Sequence, residues 1–241
     1  MRSNVTVLDI PIAAITMEEA VAAVEDFITA KKPHLIATAN AEMIMMAQQD
    51  SELASILKQA GLVVPDGAGV VWASRYLGHP VPERVAGYDL SQQLLQKAAQ
   101  KGYRVYFFGA APGIAVQAQA AAVERYPGLQ IVGVRDGYFT VQEEDEIIAG
   151  IQASQSDIVL VALGVPKQEK WLAKNLHRLA APVAMGVGGT FDVMAGVVER
   201  APLWMQQASL EWLYRLLQQP QRFLRILALP QFVLRVLSAK K

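Results

Sequence analysis

The sequence predicts an α/β fold: a Rossmann-like, mostly parallel sheet with helices on both faces, followed by a helical C-terminal appendage. Short apolar runs alternate with segments of helical periodicity, which is the pattern of strand–helix–strand units. The runs are almost continuously apolar, as expected of parallel strands that are buried on both faces. With 241 residues, 53% of them hydrophobic, the chain can form one sizeable core. We expect this core to span residues 1–200 and the appendage residues 201–241.

The apolar runs give the expected strands in order. Asn4 to Ile12 alternates apolar and polar residues and predicts a small hairpin or an edge strand. Each later run is followed by a polar or glycine-rich turn and then by a helical segment, so these runs should pair in parallel. They are His34 to Ala39, Leu62 to Val64, Tyr103 to Phe108, Leu129 to Val134, Asp157 to Leu163 and Pro182 to Val187.

The helical segments begin and end at recognisable residues. Thr16-Met17-Glu18-Glu19 is a capping box at the start of a helix that runs to about Ala30. Gly102 stops another helix, and Pro166 suits the first turn of a third. Further helices are expected after Asn40, from Ser51, after Gly67, after Gly113 and from Glu143.

Polar residues and glycines follow most of the predicted strands at their carboxyl ends. In a parallel sheet these ends lie at one edge, where open α/β folds bind their ligands. One such residue alone would mean little, but together they predict a polar site large enough for a nucleotide. The set comprises Thr38, Asn40, Asp66, Gly67, Gly109, Asp136, Gly137, Tyr138, Gly164, Gln168, Gly188, Gly189 and Asp192.

Asp66 is the most distinctive member of this set. It follows a buried run directly, in the turn Pro65-Asp66-Gly67, and Gly67 and Gly69 would let the backbone approach a substrate closely. The alternative is that Asp66 only caps the helix that follows. The local pattern favours this alternative, and only the other strand ends favour a site.

Several classes of site are absent from the sequence. There is no cysteine, so disulfides, zinc-thiolate sites and thiol nucleophiles are excluded. No nucleophile elbow, no metal-ligand spacing of histidines or carboxylates, and no Asp-x-Asp motif occurs. No signal peptide is evident, and no apolar run approaches the roughly 20 residues that span a bilayer. A cytoplasmic protein is the simplest interpretation.

Charge is unevenly distributed along the chain. Residues 212–241 contain six basic residues and no acid, leaving 16 basic against 22 acidic residues before them. Arg222 and Arg225 are interleaved there with Trp212, Phe223 and Phe232, which favours a helix at an anionic membrane surface. The alternative, that the apolar helical face packs on the core, is equally compatible with the periodicity.

Several blocks of sequence together resemble the WecG/TagA/CpsF family of glycosyltransferases. They run in the family's order from about residue 5 to residue 225, so the resemblance covers nearly the whole chain. The blocks are Thr38-Ala39-Asn40-Ala41-Glu42, Pro65-Asp66-Gly67, Arg84-Val85-Ala86-Gly87, Asp136-Gly137-Tyr138-Phe139, Gly164-Val165-Pro166-Lys167-Gln168-Glu169, Gly186-Val187-Gly188-Gly189-Thr190-Phe191-Asp192, Arg200-Ala201-Pro202 and Glu211-Trp212-Leu213-Tyr214-Arg215-Leu216.

The resemblance implies an inverting, metal-independent glycosyltransferase without a cofactor. Its donor would be a UDP-sugar, with N-acetylmannosamine or a related hexose as the sugar. Its acceptor would be a polyprenyl-diphosphate-linked GlcNAc, used in cell-surface polysaccharide or teichoic acid linkage-unit synthesis. The enzyme would lie on the inner face of the plasma membrane, bound peripherally through its appendage. No nucleic-acid partner is implied, and a homo-oligomer is compatible with the sequence.

The resemblance and the strand-end positions together suggest roles for individual residues. Asp66 would be the base that deprotonates the acceptor, and Arg84, Arg215, Arg222 or Arg225 would stabilise the leaving UDP. The residues expected to orient the sugars are Thr38, Asn40, Arg84 and Gln168. Those expected to surround the nucleotide are Gly67, Gly109, Gly137, Tyr138, Gly164, Gly188, Gly189 and Asp192.

Two other functions compete with glycosyl transfer. A dinucleotide-dependent oxidoreductase would share the fold, but the chain lacks G-x-G-x-x-G and the ribose-binding acid that should follow it. The turn Gly109-Ala110-Ala111-Pro112-Gly113 resembles a phosphate-binding loop only weakly. A non-catalytic, nucleotide-binding module that docks on membranes is the second alternative.

Overall fold

A six-stranded, wholly parallel sheet forms the centre of the molecule. The computed structural model describes residues 3–208, 210–218, 220 and 227–239. The strands of the sheet are β3 (His34–Ala39), β4 (Leu62–Pro65), β5 (Arg104–Gly109), β6 (Gln130–Arg135), β7 (Ile158–Ala162) and β8 (Val183–Gly186). Their order across the sheet is β4-β3-β8-β7-β5-β6. This confirms the predicted α/β class.

A separate antiparallel hairpin precedes the sheet. It pairs β1 (Asn4–Val7) with β2 (Ile10–Ala13), so the expectation of a small hairpin is confirmed. Leu8 and Asp9 both have positive φ, 46° and 65°, as a two-residue turn between twisted strands requires.

Helices cover both faces of the parallel sheet. Thr16 forms the predicted capping box, and the Asn40 side chain accepts a hydrogen bond from the Met43 N–H at 2.9 Å. The helices of the core are α1 (Met17–Ala30), α2 (Ala41–Ala47), α3 (Ser51–Gln59), α4 (Ala68–Tyr76), α5 (Gly87–Lys101), α6 (Ile114–Arg125), α7 (Glu144–Ala153), α8 (Lys167–Asn175) and α9 (Thr190–Met194), with short 3₁₀ turns at Val141–Glu143 and Leu176–Arg178.

Alternate residues of each strand supply two apolar layers. In β5, Val105 and Phe107 face the layer that contains α1, α5, α6 and α9, whereas Tyr106 and Phe108 face the hairpin and the other core helices. Phe107 and Phe108 are both fully buried. The sheet is therefore covered on both faces, which fixes its carboxyl edge as the place where polar loops emerge.

Three helices follow the core: α10 (Leu203–Gln207), α11 (Glu211–Gln218) and α12 (Ala228–Ser238). Phe232 and Val236 of α12 are 1% and 0% exposed and belong to the main core cluster with α2 and α4. The expectation that Phe232 faces a membrane is therefore wrong, because this apolar face of α12 packs on the protein itself. Phe223 lies outside the described residues. None of the helices that the structure describes is long and apolar enough to cross a bilayer.

A buried amide joins the ends of β7 and β8. The Oε1 atom of Gln168, a residue only 1% exposed, accepts hydrogen bonds from the N–H of Gly164 at 3.2 Å and of Gly188 at 3.0 Å. Its Nε2 donates to Glu169 Oε1 at 2.8 Å. A Cβ on Gly186 would lie 2.6 Å from this Nε2, so only glycine permits the close approach.

Glu169 is buried beside this amide, and no cation in the described part of the chain lowers its pKa. Its other oxygen, Oε2, is buried and has no hydrogen-bond partner among the described residues. Desolvation raises the pKa of Glu169 to about 7, against the weaker effect of its hydrogen bond from Gln168. The carboxyl group is thus largely protonated in the folded protein at mildly acidic pH.

The burial of Phe232 predicts that α12 contributes to the stability of the core. Phe232→Ala should lower the free energy of unfolding by about 3–5 kcal/mol, measured by denaturant titration, because it leaves a cavity between α12, α2 and α4. Leu234→Ala is the matched control, since Leu234 lies on the same helix and is 67% exposed. It should cost less than about 0.5 kcal/mol. Equal losses in the two variants would contradict the assigned packing.

The raised pKa of Glu169 predicts how stability depends on pH. The folded protein keeps the Glu169 proton at pH values where the unfolded chain, with the ordinary pKa of 4.5, has lost it. The contribution of this proton to the free energy of unfolding is therefore complete below pH 4.5. It is lost as the pH rises through about 7. Glu169→Gln, which retains the acceptor for Gln168, should gain stability relative to wild type as pH rises, by at most about 3 kcal/mol.

Denaturant titrations between pH 5 and pH 8 would measure this difference. The control is Glu146→Gln, which changes an exposed carboxylate on α7. Its difference from wild type should not vary with pH in this range. A constant difference for Glu169→Gln as well would show that Glu169 is ionised in the folded state.

Candidate active site

Two pockets open at the carboxyl edge of the sheet, on either side of the end of β8. The first, here called the arginine pocket, has a volume of about 360 Å³ and lies at the ends of β3 and β4. The second, here called the tyrosine pocket, has a volume of about 630 Å³ and lies at the ends of β5, β6 and β7. Both volumes are in the range of small-molecule sites, roughly 300–1,000 Å³. The sheet order therefore sets two ligand-sized spaces beside one shared strand end.

The arginine pocket combines charged and apolar walls. The core supplies Asn40, Ala41, Glu42, Asp66, Gly67, Ala68, Gly69, Arg84, Ala86, Gly87 and Tyr88. The segments after the core supply Arg200, Glu211, Trp212, Arg215, Leu216 and Leu229. Such a pocket suits a ligand with an anionic part and an apolar part.

Asp66 lies in this pocket directly after β4. Gly67, with φ of 99°, is the N-terminal residue of α4, and no side chain caps that helix, so the alternative that Asp66 is only a cap is wrong. The Asp66 carboxylate instead accepts a hydrogen bond from the Gly87 N–H. Burial raises the pKa of Asp66, while the charges of Arg84 and Arg215 act to lower it. A raised pKa makes this carboxylate a stronger base than an exposed aspartate.

Arg84 connects Asp66 to the C-terminal helices. Its Nη2 lies 3.9 Å from Asp66 Oδ1 and also forms an ion pair with Glu211, the first residue of α11. The Nε atom of Arg84 is buried and has no hydrogen-bond partner among the described residues. Arg84 is thus close to the candidate base without being bonded tightly to it.

Asn40 and Thr38 are placed by the end of β3. Asn40 lines the arginine pocket while its Oδ1 caps α2. Thr38 lies beneath Gly87, where an added Cβ would come within 3.0 Å of the threonine side chain. Thr38 therefore supports the loop that carries Arg84 and Gly87, next to the pocket.

Of the arginines expected from the C-terminal segment, only Arg215 is described. It lines the arginine pocket and is exposed to solvent. Arg222 and Arg225 lie outside the described residues.

Arg200 has no role predicted from the sequence, although Arg200-Ala201-Pro202 is one of the blocks that resemble the family. Its Nη1 and Nη2 bind the two oxygens of Asp89 at 2.6 and 2.8 Å, and its Nε lies 3.3 Å from Glu211. Its guanidinium also stacks over the Tyr88 ring, 4.7 Å from the centroid. In the sequence, Arg200 stands out only as an arginine in a block that resembles the family. Its partners Asp89 and Glu211 lie 111 and 11 positions away, so the sequence does not reveal these contacts.

The tyrosine pocket contains the other group of expected residues. Tyr138 is 70% exposed at its mouth, and Gly137 and Asp192 line it. Lys167, which has no role predicted from the sequence, also lines this pocket, with its Nζ 5.1 Å from the Phe139 ring centroid. These side chains offer an aromatic surface, a carboxylate and a cation to one ligand.

The glycines at these strand ends shape the loops more than they offer hydrogen bonds. The N–H of Gly137 donates to the Ala110 carbonyl at 2.8 Å, and those of Gly164 and Gly188 donate to Gln168. The N–H groups of Gly137 and Gly188 therefore already donate within the protein. Gly109, with φ of 120°, lies so close to Ala162 that an added Cβ would be 2.5 Å from its backbone.

Gln168 does not line either pocket, because its amide is used between the ends of β7 and β8. Gly189, at the start of α9, lies beside Asp192: a Cβ on Gly189 would be 3.5 Å from its Oδ2. Within the described parts of the chain, no three or more His, Asp or Glu side chains are grouped so that they could hold a metal ion.

The sequence also matches a known protein family and curated relatives. Residues 5–241 match the model of the glycosyl transferase WecG/TagA/CpsF family. A protein of Bacillus spizizenii strain W23 is 41% identical over 215 residues, which are 89% of this chain and 83% of the relative. A protein of Bacillus subtilis strain 168 is 37% identical over 215 residues, with the same coverage.

Both relatives are named N-acetylglucosaminyldiphosphoundecaprenol N-acetyl-beta-D-mannosaminyltransferase. The oxidoreductase and non-catalytic alternatives have no support from these matches. The suspected resemblance is confirmed, and the chain belongs to the WecG/TagA/CpsF family of glycosyltransferases.

Proposed function

We propose that this enzyme transfers N-acetylmannosamine, or a related hexose, from a UDP-sugar to a polyprenyl-diphosphate-linked GlcNAc. The names of the two relatives support both the sugar and the acceptor. The structural observation that carries the proposal is Asp66, a half-buried carboxylate at a strand end that faces a pocket lined by three arginines. The transfer would belong to cell-surface polysaccharide or teichoic acid linkage-unit synthesis.

The two pockets suit the two substrates. The tyrosine pocket would take the nucleoside of the donor, with Tyr138 against the uracil ring and Asp192 accepting hydrogen bonds. The diphosphate would extend past the end of β8 to Arg84 and Arg215 of the arginine pocket. The arginine pocket would take the acceptor, with Trp212, Leu216 and Leu229 available to the prenyl chain. The sugar would then be transferred beside β8, between the two.

The chemistry follows from the charges near Asp66. Its carboxylate would remove the proton of the acceptor hydroxyl as the bond from the sugar to UDP breaks. Attack from the side opposite UDP inverts the anomeric centre. Arg84 and Arg215 would stabilise the negative charge that develops on the leaving diphosphate, so the reaction would need no metal ion. Arg222 and Arg225 remain candidates for the same role.

The remaining expected residues would act at the edges of this site. Asn40 lines the arginine pocket, where it would orient a sugar, and Thr38 would hold the loop of Arg84 in place. Gln168 would act indirectly, by fixing the loops of Gly164 and Gly188. Gly67 and Gly109 would allow the backbone to approach the substrates closely.

Exposed apolar side chains of the last helices support binding to a membrane surface. In α10, Leu203 and Trp204 are 73% and 63% exposed, and in α12 Leu234 is 67% exposed. Apolar side chains exposed beside basic residues suit the headgroup region of an anionic bilayer. We place the enzyme on the inner face of the plasma membrane, where the lipid-linked acceptor would reach the arginine pocket.

Asp66→Asn tests the catalytic proposal. The variant should bind UDP as the wild type does but release UDP from UDP-N-acetylmannosamine at least about tenfold more slowly in the presence of a soluble acceptor analogue, because the base is lost. Asp145→Asn, which alters an exposed carboxylate on α7, is the control and should leave turnover unchanged. Turnover of Asp66→Asn within about twofold of wild type would rule out this role.

Asp192→Ala tests the assignment of the tyrosine pocket. UDP affinity measured by calorimetry should fall by roughly tenfold, since a hydrogen bond to a charged group is lost. Glu146→Ala is the control, because Glu146 is an exposed carboxylate on α7 that does not line the pocket. Unchanged UDP affinity in Asp192→Ala would place the nucleotide elsewhere.

A further inference from the structure

Glu211 is bound by two arginines from different parts of the core edge. One carboxylate oxygen forms the ion pair with Arg84, and the other lies 3.3 Å from the Nε of Arg200. Its side chain is only 14% exposed. A carboxylate that bridges two guanidinium groups occupies donors that would serve a phosphate oxygen equally well.

The charges that line the arginine pocket balance only because Glu211 is present. Among the described lining residues, Arg84, Arg200 and Arg215 are cationic, and Glu42, Asp66 and Glu211 are anionic. A diphosphate that entered beside Glu211 would meet a pocket without net positive charge. Asp89, which does not line the pocket, would still neutralise Arg200. If Glu211 left the pocket, however, the guanidinium of Arg84 and the Nε of Arg200 would be available to the incoming anion.

The helix that carries Glu211 is joined to the core edge by the ion pairs of Glu211, and the Tyr214 hydroxyl donates to Glu199. No residue of α11 is buried, whereas α12 places Phe232 and Val236 in the core. Moving Glu211 away would therefore cost little buried apolar surface. Asp89 would still hold Arg200 in position through its two hydrogen bonds of 2.6 and 2.8 Å.

We infer that Arg84 and Arg200 form a diphosphate subsite that Glu211 fills as an internal anion, and that a diphosphate binds there by displacing Glu211. The inference rests on the proposed function only for the source of the diphosphate, which is either the donor nucleotide or the prenyl-linked acceptor. The displaced Glu211 releases the start of α11 from the pocket. The subsite lies beside the candidate base, since Arg84 is 3.9 Å from Asp66.

Calorimetric titration of the full chain with inorganic pyrophosphate tests the exchange directly. Glu211→Gln should bind pyrophosphate at least about tenfold more tightly than wild type, because two guanidinium groups lose their competing carboxylate. Unchanged or weaker affinity would overturn the inference.

The control is Glu199→Gln, which removes the same charge nearby. Glu199 accepts a hydrogen bond from the Tyr214 hydroxyl at 3.3 Å and does not line the pocket. Its pyrophosphate affinity should stay within about twofold of wild type. An equal gain in pyrophosphate affinity in both variants would indicate a general effect of charge and would overturn the inference.

A measurement on the wild type avoids dependence on the folding of the variant. Saturating pyrophosphate should increase amide hydrogen exchange at the start of α11, since Glu211 no longer holds it. Exchange that is unchanged or slowed would contradict the displacement.

Competition identifies the source of the diphosphate. Displacement of pyrophosphate from Glu211→Gln by UDP alone would assign the subsite to the donor, and displacement by a soluble prenyl-diphosphate-GlcNAc analogue alone would assign it to the acceptor. Displacement by neither would overturn the inference. Pyrophosphate binding is measured without turnover, so this inference and the proposed function can fail separately. Normal sugar transfer without the predicted change in pyrophosphate affinity would overturn only the inference. The predicted change in affinity without sugar transfer would overturn only the proposed function.

Discussion

The charge balance around Arg84 is the interaction on which the proposed site depends. Its guanidinium lies between the carboxylate of Asp66 and that of Glu211, so one arginine is shared by the core and the C-terminal helices. Burial raises the pKa of Asp66, Glu211 adds to that rise, and Arg84 and Arg215 oppose it. The basicity of Asp66 is therefore set partly by residues of α11. A movement of this helix would change both the available cations and the strength of the base.

The sheet provides the rigid frame for this balance. Because β8 lies between β3 and β7, the loops of the arginine pocket and those of the tyrosine pocket approach from opposite sides of one strand. The buried amide of Gln168 joins the ends of β7 and β8 and donates to Glu169, whose pKa is raised by burial. Two substrates held in these pockets would be kept at a fixed separation, which is what a direct transfer between them requires.

Much of the fold could be predicted because it depends on local patterns. Continuous apolar runs identified the parallel strands, and the cap at Thr16 marked the first long helix. The strand-end rule also brought Asn40, Asp66 and Tyr138 to one edge. The contacts of the site were less accessible, since Arg84 and Glu211 are 127 positions apart and no local period reports such a pair. Periodicity likewise showed an apolar face around Phe232 but not that the core covers it. The inward direction of the Gln168 amide depends on β7 and β8 being neighbours, which no segment reveals alone.

The anomeric configuration of the product shows whether the sugar is transferred in a single displacement assisted by Asp66. The full-length enzyme would be incubated in EDTA with UDP-N-acetylmannosamine and a soluble prenyl-diphosphate-GlcNAc analogue, and the purified product examined by NMR. A single displacement should release UDP and give a disaccharide whose new linkage is inverted relative to the donor. A product with retained configuration, or transfer that occurs only after a divalent metal is added, would contradict it.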